Sequence, residues 1–203
     1  LVAMLATTAL GAVFTSTSPD FGVAGVVDRF SQVDPVVLVA ADGYHYAGKT
    51  HDRARLLPEV VAQLPSLRTV VTVPELDIPV PALPVPQVQW GDGWDVAEAP
   101  QFERRNPSQP GFVLYSSGTT GRPKCIVHSG AGVLLKQLTE HQLHCDIRPG
   151  DRVFYFTTCG WMMWNWLVTA LASGATIVLF DGSPFHPGPE AMWDLVSQEQ
   201  VTL

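Results

Sequence analysis

Residues 115–124 read YSSGTTGRPK, a run of hydroxyl side chains broken by two glycines and closed by a proline and a lysine. A turn of small residues between a strand and a helix leaves backbone N–H groups pointing outward. Ser116, Ser117, Thr119 and Thr120 add hydroxyl donors, Gly118 and Gly121 let the backbone come close to a ligand, and Lys124 supplies a point charge. That combination suits a polyphosphate. Pro123 stiffens the chain just before the lysine. The spacing is not that of a Walker A loop: Pro123 stands five positions after Gly118, and Lys124 precedes Cys125 instead of a hydroxyl. On residue types alone, a solvated Ser/Thr/Gly turn competes with the phosphate reading. A hydrolase built on Ser116 or Ser117 with His128 as base is a third reading, but GxSxG and SxxK are both missing.

A second group is Trp161, Met162, Met163 and Trp164, at the head of an apolar helix. Aromatic and methionine stripes there usually fill cores. His141, His144 and Cys145 share one side of a predicted helix but fall short of the four ligands a structural metal site needs, so no metal is expected. His128 lies beside Ser129, where a capped helix start is predicted. Lys49, in YAGKTHD, reads as a solvated lysine.

The chain has 203 residues, 46% of them hydrophobic, enough to build a core. Its 12 basic and 19 acidic residues leave a net charge of −7, with no basic stripe for a nucleic-acid backbone. Any phosphate is therefore held locally. The three cysteines, Cys125, Cys145 and Cys159, are odd in number and lack CxxC spacing, which predicts neither a disulfide framework nor a zinc ribbon. A reducing, cytoplasmic setting is expected.

These groups need elements to hold them, and the pattern along the chain alternates. Helices are predicted at 1–10, within 22–31, within 51–64, at 130–145, from 161 and near 188–200. Strands are predicted near 12–15, at 35–40, 69–73, 111–116 and 151–157, and in the ATIVLF run that ends at Phe180. This is the rhythm of an α/β protein with a mostly parallel sheet flanked by helices. Residues 74–111 interrupt it with a Pro-rich, polar run that reads as an irregular surface connection. Residues 117–128 are expected to form an exposed loop. The uncharged opening LVAMLATTALGAVF lacks the basic flank of a secretory signal, and reads as the tail of a buried helix in a sequence that begins inside a domain. The uncharged run at 161–180 has the ~20 residues of a membrane span. Ser173 and Gly174 divide it into a helix and a β-branched strand, so no membrane span is predicted.

Tyr-Ser-Ser-Gly-Thr-Thr-Gly-x-Pro-Lys resembles the phosphate-loop signature of the acyl-adenylate-forming superfamily of acyl-CoA synthetases, luciferases and peptide-synthetase adenylation domains. RPKCIVHSGAGVLL, TTCGWMMWNWLV and ASGATIVLFDGSPFHP resemble the acetoacetyl-CoA synthetases within it more than the acetate enzymes. Cys125 and the Met162-Met163-Trp164 run are the departures from the acetate pattern. The order of GAVFTSTSPDFGVAGVVDRFSQVDPVVLVAADGYHYAGKTHD agrees, so the resemblance covers nearly the whole chain and is weakest in 74–111.

The resemblance implies part of a large N-terminal AMP-binding domain, with the small C-terminal domain and the adenine- and ribose-binding segments outside this sequence. It implies ATP, Mg²⁺ and coenzyme A as cofactors, and a two-step ligation of a small acid, acetoacetate. Ser116, Ser117, Gly118, Thr119, Thr120, Gly121 and Lys124 would bind the phosphates, with Thr120 and Lys124 catalytic. Trp161, Met162, Met163 and Trp164 would line the acyl and CoA pocket, and Lys49 would touch the CoA nucleotide. An acetyl- or propionyl-CoA synthetase and a nucleotide-binding module without catalysis are the alternatives.

Overall fold

The computed structural model describes residues 1–94, 99–116 and 121–203. The chain forms two compact units. One comprises Leu1–Ser16, Gln101–Tyr115 and Ile126–Leu203; the other comprises Thr17–Pro100 and Ser116–Cys125.

In the first unit, β1 (Phe14–Thr15) runs parallel to β7 (Pro110–Ser116), pairing Phe14 with Phe112 and Thr15 with Val113. The partners are distant in sequence, so this sheet forms only through long-range closure. β8 (Lys124–Ser129) lies on the other side of β7. A Cβ on Gly111 would meet Gly130 Cα and N at 2.9 Å, so a glycine is needed where the start of β7 passes the end of β8. Helices α1 (Val2–Ala9), α4 (Gly130–Thr139) and α5 (Met162–Thr169) belong to the same unit. Met4, Phe112, Val133 and Val168 form a buried cluster joining α1, β7, α4 and α5. A second parallel pair, β9 (Arg152–Phe154) with β10 (Thr176–Val178), carries another cluster of Ile147, Val153, Trp166, Leu167, Ala170 and Ala175.

The uncharged 161–180 run divides as its residues predict. Helix α5 passes into a 3₁₀ turn over Ala170–Ser173, and Gly174 ends it in the left-handed region at φ 76° before β10 begins. Among the described residues, no helix is long and apolar enough to cross a membrane.

The second unit holds the strictly parallel sheet β2–β5–β6, in which Val37–Ala41 pairs with Thr69–Val73 and the latter with Gln87–Gln89. Helices α2 (Val23–Phe30) and α3 (Leu57–Ala62) pack in the same unit, burying Phe30, Leu57, Val60 and Val61. Asp42 sits at the exit of β2 and is 2% exposed. Its carboxylate accepts the backbone N–H groups of Glu75 and Leu76 at 3.0 and 2.9 Å, and that of Ile78 at 2.8 Å. Its carbonyl accepts those of Arg53 and Ala54 at 2.7 and 2.8 Å. A buried charge is tolerated here because charge-assisted bonds replace its water.

Two sequence expectations need correction, and one element was not predicted. The helix expected within 51–64 is α3 (Leu57–Ala62). The element that was not predicted is the antiparallel hairpin ahead of it, β3 (Gly43–Tyr46) with β4 (Lys49–Asp52). Its two-residue turn places Ala47 and Gly48 at φ 50° and 74°, the conformation that matches strand twist. Residues 74–111 are not wholly irregular, because β6 (Gln87–Gln89) and the start of β7 fall inside them. Pro86 directly precedes β6, and an edge strand tolerates it because such a strand needs donors on one side only. The 151–157 strand is confined to Arg152–Phe154.

Helix α4 continues as a π-helical turn over Glu140–His144, where Cys145 N–H bonds the Glu140 carbonyl at 2.9 Å. This turn buries His141 completely against Trp166, with ring centroids 4.6 Å apart. Neither imidazole nitrogen has a hydrogen-bond partner, and burial pushes the ring's pKa down, only partly opposed by the nearby Trp166 backbone and Glu140. The unfolded chain therefore takes up a proton near the ordinary histidine value of about 6.5, before the folded chain does. His141 leaves stability intact above that pH and erodes it as the pH falls through and below it. In the complete protein, His141→Phe is expected to flatten the decline of melting temperature as the pH falls through and below the ordinary histidine value of about 6.5. Thermal melts of both proteins across this range check it; parallel declines would show that His141 titrates alike in both states.

Candidate functional site

The expected phosphate loop opens from the end of β7. Ser116 is the last residue of that strand and is half-buried. Ser117, Gly118, Thr119 and Thr120 lie outside the described residues. Gly121 adopts φ +96° with no atom within 4 Å of where a Cβ would stand, so the backbone conformation, and not crowding, calls for glycine. Pro123 is half-buried and Lys124 is exposed.

The exit of this segment differs from expectation. Residues 124–128 are not loop: Lys124–Ser129 is β8, so Lys124 opens a strand in the sheet with β7. Helix α4 starts at Gly130, as predicted, with Ser129 as its cap: the Ser129 hydroxyl accepts the Gly132 N–H at 3.2 Å. His128 is a strand residue beside that cap and takes no part in it. A lysine on a paired strand has a fixed backbone origin, which favours aim over reach.

Tyr115 is tied down within the first unit. The Thr15 hydroxyl lies 2.8 Å from the Val113 carbonyl and 3.0 Å from the Tyr115 hydroxyl. The Ser16 hydroxyl donates to the Cys159 carbonyl at 2.5 Å. The end of β1 thus joins the strand entering the motif to the segment just before Trp161. Thr15 and Ser16 carried no signal in the sequence, because their partners are 98 to 143 residues away.

The four residues at the head of α5 divide by environment. Trp161 is 65% exposed and Met162 45% exposed. Met163 packs against the Ile147–Val153–Trp166 cluster, and Trp164 against Met4, Phe112, Val133 and Val168. The Trp164 indole nitrogen is buried without a hydrogen-bond partner. Trp161 and Met162 therefore offer apolar surface to a ligand, while Met163 and Trp164 serve the core at least in part.

Lys49 follows the Ala47–Gly48 turn at the tip of the β3–β4 hairpin, exposed and without a side-chain partner among those described. Of the trio on the α4 extension, His141 is fully buried, His144 is exposed and Cys145 is half-buried. Among the described residues, no group of three or more His, Cys, Asp or Glu side chains could hold a metal ion.

Parallel α/β sheets flanked by helices, with the Ser/Thr/Gly motif leaving one strand and its lysine opening the next, agree with the class the motif resembles. The chain belongs to the AMP-binding enzyme family, which it matches over residues 1–203. Within that family it is similar to several CoA synthetases. It is 46% identical to acetoacetyl-CoA synthetase of Gallus gallus over 210 residues, covering 99% of this chain and 31% of that protein. It is 45% identical to a malonamoyl-CoA synthetase of Penicillium aethiopicum over 203 residues, covering 94% of this chain and 28% of that protein. Among solved structures, acetoacetyl-CoA synthetase from Streptomyces lividans superimposes with a TM-score of 0.94 at 47% identity, covering 99% of this chain and 31% of that one. The chain thus spans about a third of the length of these relatives.

Proposed function

We propose that this chain is part of the large N-terminal AMP-binding domain of an acetoacetate–CoA ligase, with a C-terminal domain carried elsewhere in a longer protein. The supporting observation is the likeness to acetoacetyl-CoA synthetases over 99% of the chain, joined to a lysine fixed at the start of β8 directly after the motif. The malonamoyl relative points the same way, because malonamoyl and acetoacetyl groups both carry a carbonyl at the third carbon. A short acid with that carbonyl is the substrate class.

A carboxylate is a poor acyl donor until its oxygen carries a good leaving group. In this reading the acid's carboxylate oxygen attacks the α-phosphorus of ATP, and the bond to the bridging oxygen breaks with departure of pyrophosphate. The CoA thiol then attacks the acyl carbon, loses its proton, and displaces AMP. Negative charge gathers on the phosphate oxygens during the first step. Backbone N–H groups and hydroxyls of 116–121, together with Lys124, would stabilise it, which is the main work a protein does in such transfers. Mg²⁺ would neutralise charge on the phosphates of the bound nucleotide. Trp161 and Met162 would contact the acyl group or the arm of CoA, and Lys49 the CoA nucleotide.

Acetoacetate-dependent exchange of labelled pyrophosphate into ATP by the complete protein tests the first step, and release of AMP with CoA tests the second. Exchange is expected with acetoacetate and weaker with acetate. Nucleotide binding without exchange on any acid would leave a binding module, and exchange favouring acetate or propionate would move the chain to the acetate branch.

A further inference from the structure

The Arg-Pro pair ahead of Lys124 carries the third kind of information in this region, after the loop and the strand. Helix α2 ends at Phe30, and its last carbonyls lack helical donors, as at any helix end. The Val27 carbonyl is covered by Ser31, whose N–H and hydroxyl donate at 3.0 and 2.6 Å. The Gln32 N–H turns to Arg29 at 3.1 Å, which leaves the Asp28 carbonyl to side chains. Two reach it. The Gln32 amide nitrogen donates to it at 2.7 Å, and Arg122 Nε at 3.2 Å.

Each of these side chains makes a second bond across the same gap. Gln32 Nε2 also donates to the Pro123 carbonyl at 2.9 Å, so one amide group bridges the helix end and the residue before Lys124. Arg122 Nη2 donates to the Ser31 hydroxyl. A guanidinium at a helix C-terminus is also favoured by the partial negative charge of the exposed carbonyls. All these residues lie in one compact unit. Lys124, in contrast, has no side-chain hydrogen bond or ion pair among the described contacts.

Arg122 would ordinarily be taken for a second phosphate cation, since it stands two residues from Lys124 in a motif of this kind. Two of its nitrogens, Nε and Nη2, are already engaged at the end of α2. We propose that Gln32 and Arg122 are positioning residues: they clip residues 122–123 to the end of α2 and so fix where Lys124 enters β8 and points. This rests on the phosphate-binding reading of Lys124, and it divides labour between two neighbouring cations. Lys124 meets the nucleotide, and Arg122 holds the backbone that carries it. The bonds are exposed, so their contribution to global stability is small. Their value is geometric. A misplacement of ~1 Å can cost ~10²-fold in rate.

The test uses pyrophosphate exchange by the complete protein with Gln32→Met, Arg122→Ala and Lys124→Ala, each alone, and with Gln32→Met and Arg122→Ala each combined with Lys124→Ala. Methionine keeps the length of glutamine and removes both donated bonds. Gln32→Met and Arg122→Ala are each expected to lower kcat about tenfold, part of the loss attached to a full misplacement, with KM for the acid and melting temperature unchanged. In the Lys124→Ala background neither is expected to lower it further, because both act through the lysine. Wild-type kcat in Gln32→Met beside a large loss in Lys124→Ala would overturn the clip and leave the phosphate reading standing. Losses from Arg122→Ala that persist in full without Lys124 would show that Arg122 meets the nucleotide itself, which also overturns it. Wild-type exchange in Lys124→Ala would remove the phosphate reading and the clip together.

Discussion

Lys124→Ala in the complete protein is expected to lower acid-dependent pyrophosphate exchange by ~10²-fold or more, the usual cost of deleting one donor aimed at developing charge. The protein should melt at the same temperature as the wild type. Lys124 is exposed and has no side-chain partner among the described contacts, so its loss opens no cavity and strands no buried group. That separation makes the experiment informative. A lysine that served the fold would lower stability and every activity together. Thr120→Val is expected to act in the same direction through the motif's hydroxyl, since valine keeps the shape of threonine and removes the donor. Acetoacetate-dependent exchange and thermal melts, measured on the same preparations, check both. Full exchange by both variants would reduce residues 115–124 to a turn.

The direction of that prediction comes from the sequence, and its sharpness comes from the structure. YSSGTTGRPK announces donors, glycines and a cation in an order that needs no partner from elsewhere in the chain, so its class was legible. The same holds for the 161–180 run, where Gly174 marks the break between α5 and β10 because only glycine enters φ 76° without strain. Features that depend on distant partners were not legible. β6 is three residues at the end of a Pro-rich stretch, and it becomes a strand only because β5 offers a free edge beside it. The β3–β4 hairpin has a local cue in Ala47-Gly48, flanked by tyrosines and a threonine, yet no strand was predicted there. Lys124–Ser129 reads as loop after a proline, yet the edge of β7 recruits it into the sheet. Gln32 and Arg122 are the limiting case. Their targets lie 91 and 94 residues away, and neither residue type suggests a partner until the end of α2 is seen to need donors.

Met162→Ala is expected to change which acids the complete protein uses, whereas Met163→Ala is expected to change how well it folds. The two methionines are adjacent in sequence and differ in what surrounds them. Met162 is 45% exposed, and Trp161 beside it is 65% exposed, so trimming either removes little buried contact. Met163 packs on the cluster of Ile147, Val153, Trp166 and Leu167. Losing its side chain should cost about 2 kcal/mol, at the low end for methionine truncation because the site is only partly buried. If Met162 and Trp161 wall the acyl end, removing bulk makes room for longer acids. A methylene in an apolar pocket is worth ~1–3 kcal/mol, so relative kcat/KM for a longer 3-oxo acid over acetoacetate should rise about 10- to 200-fold in Met162→Ala, with little change in melting temperature. Met163→Ala should melt lower and lose activity on acetate, acetoacetate and longer 3-oxo acids in proportion. Steady-state kinetics on that acid series, with thermal melts of each variant, separate the outcomes. Proportional losses in Met162→Ala as well would take the whole 161–164 run out of the acyl pocket and leave it as core and surface.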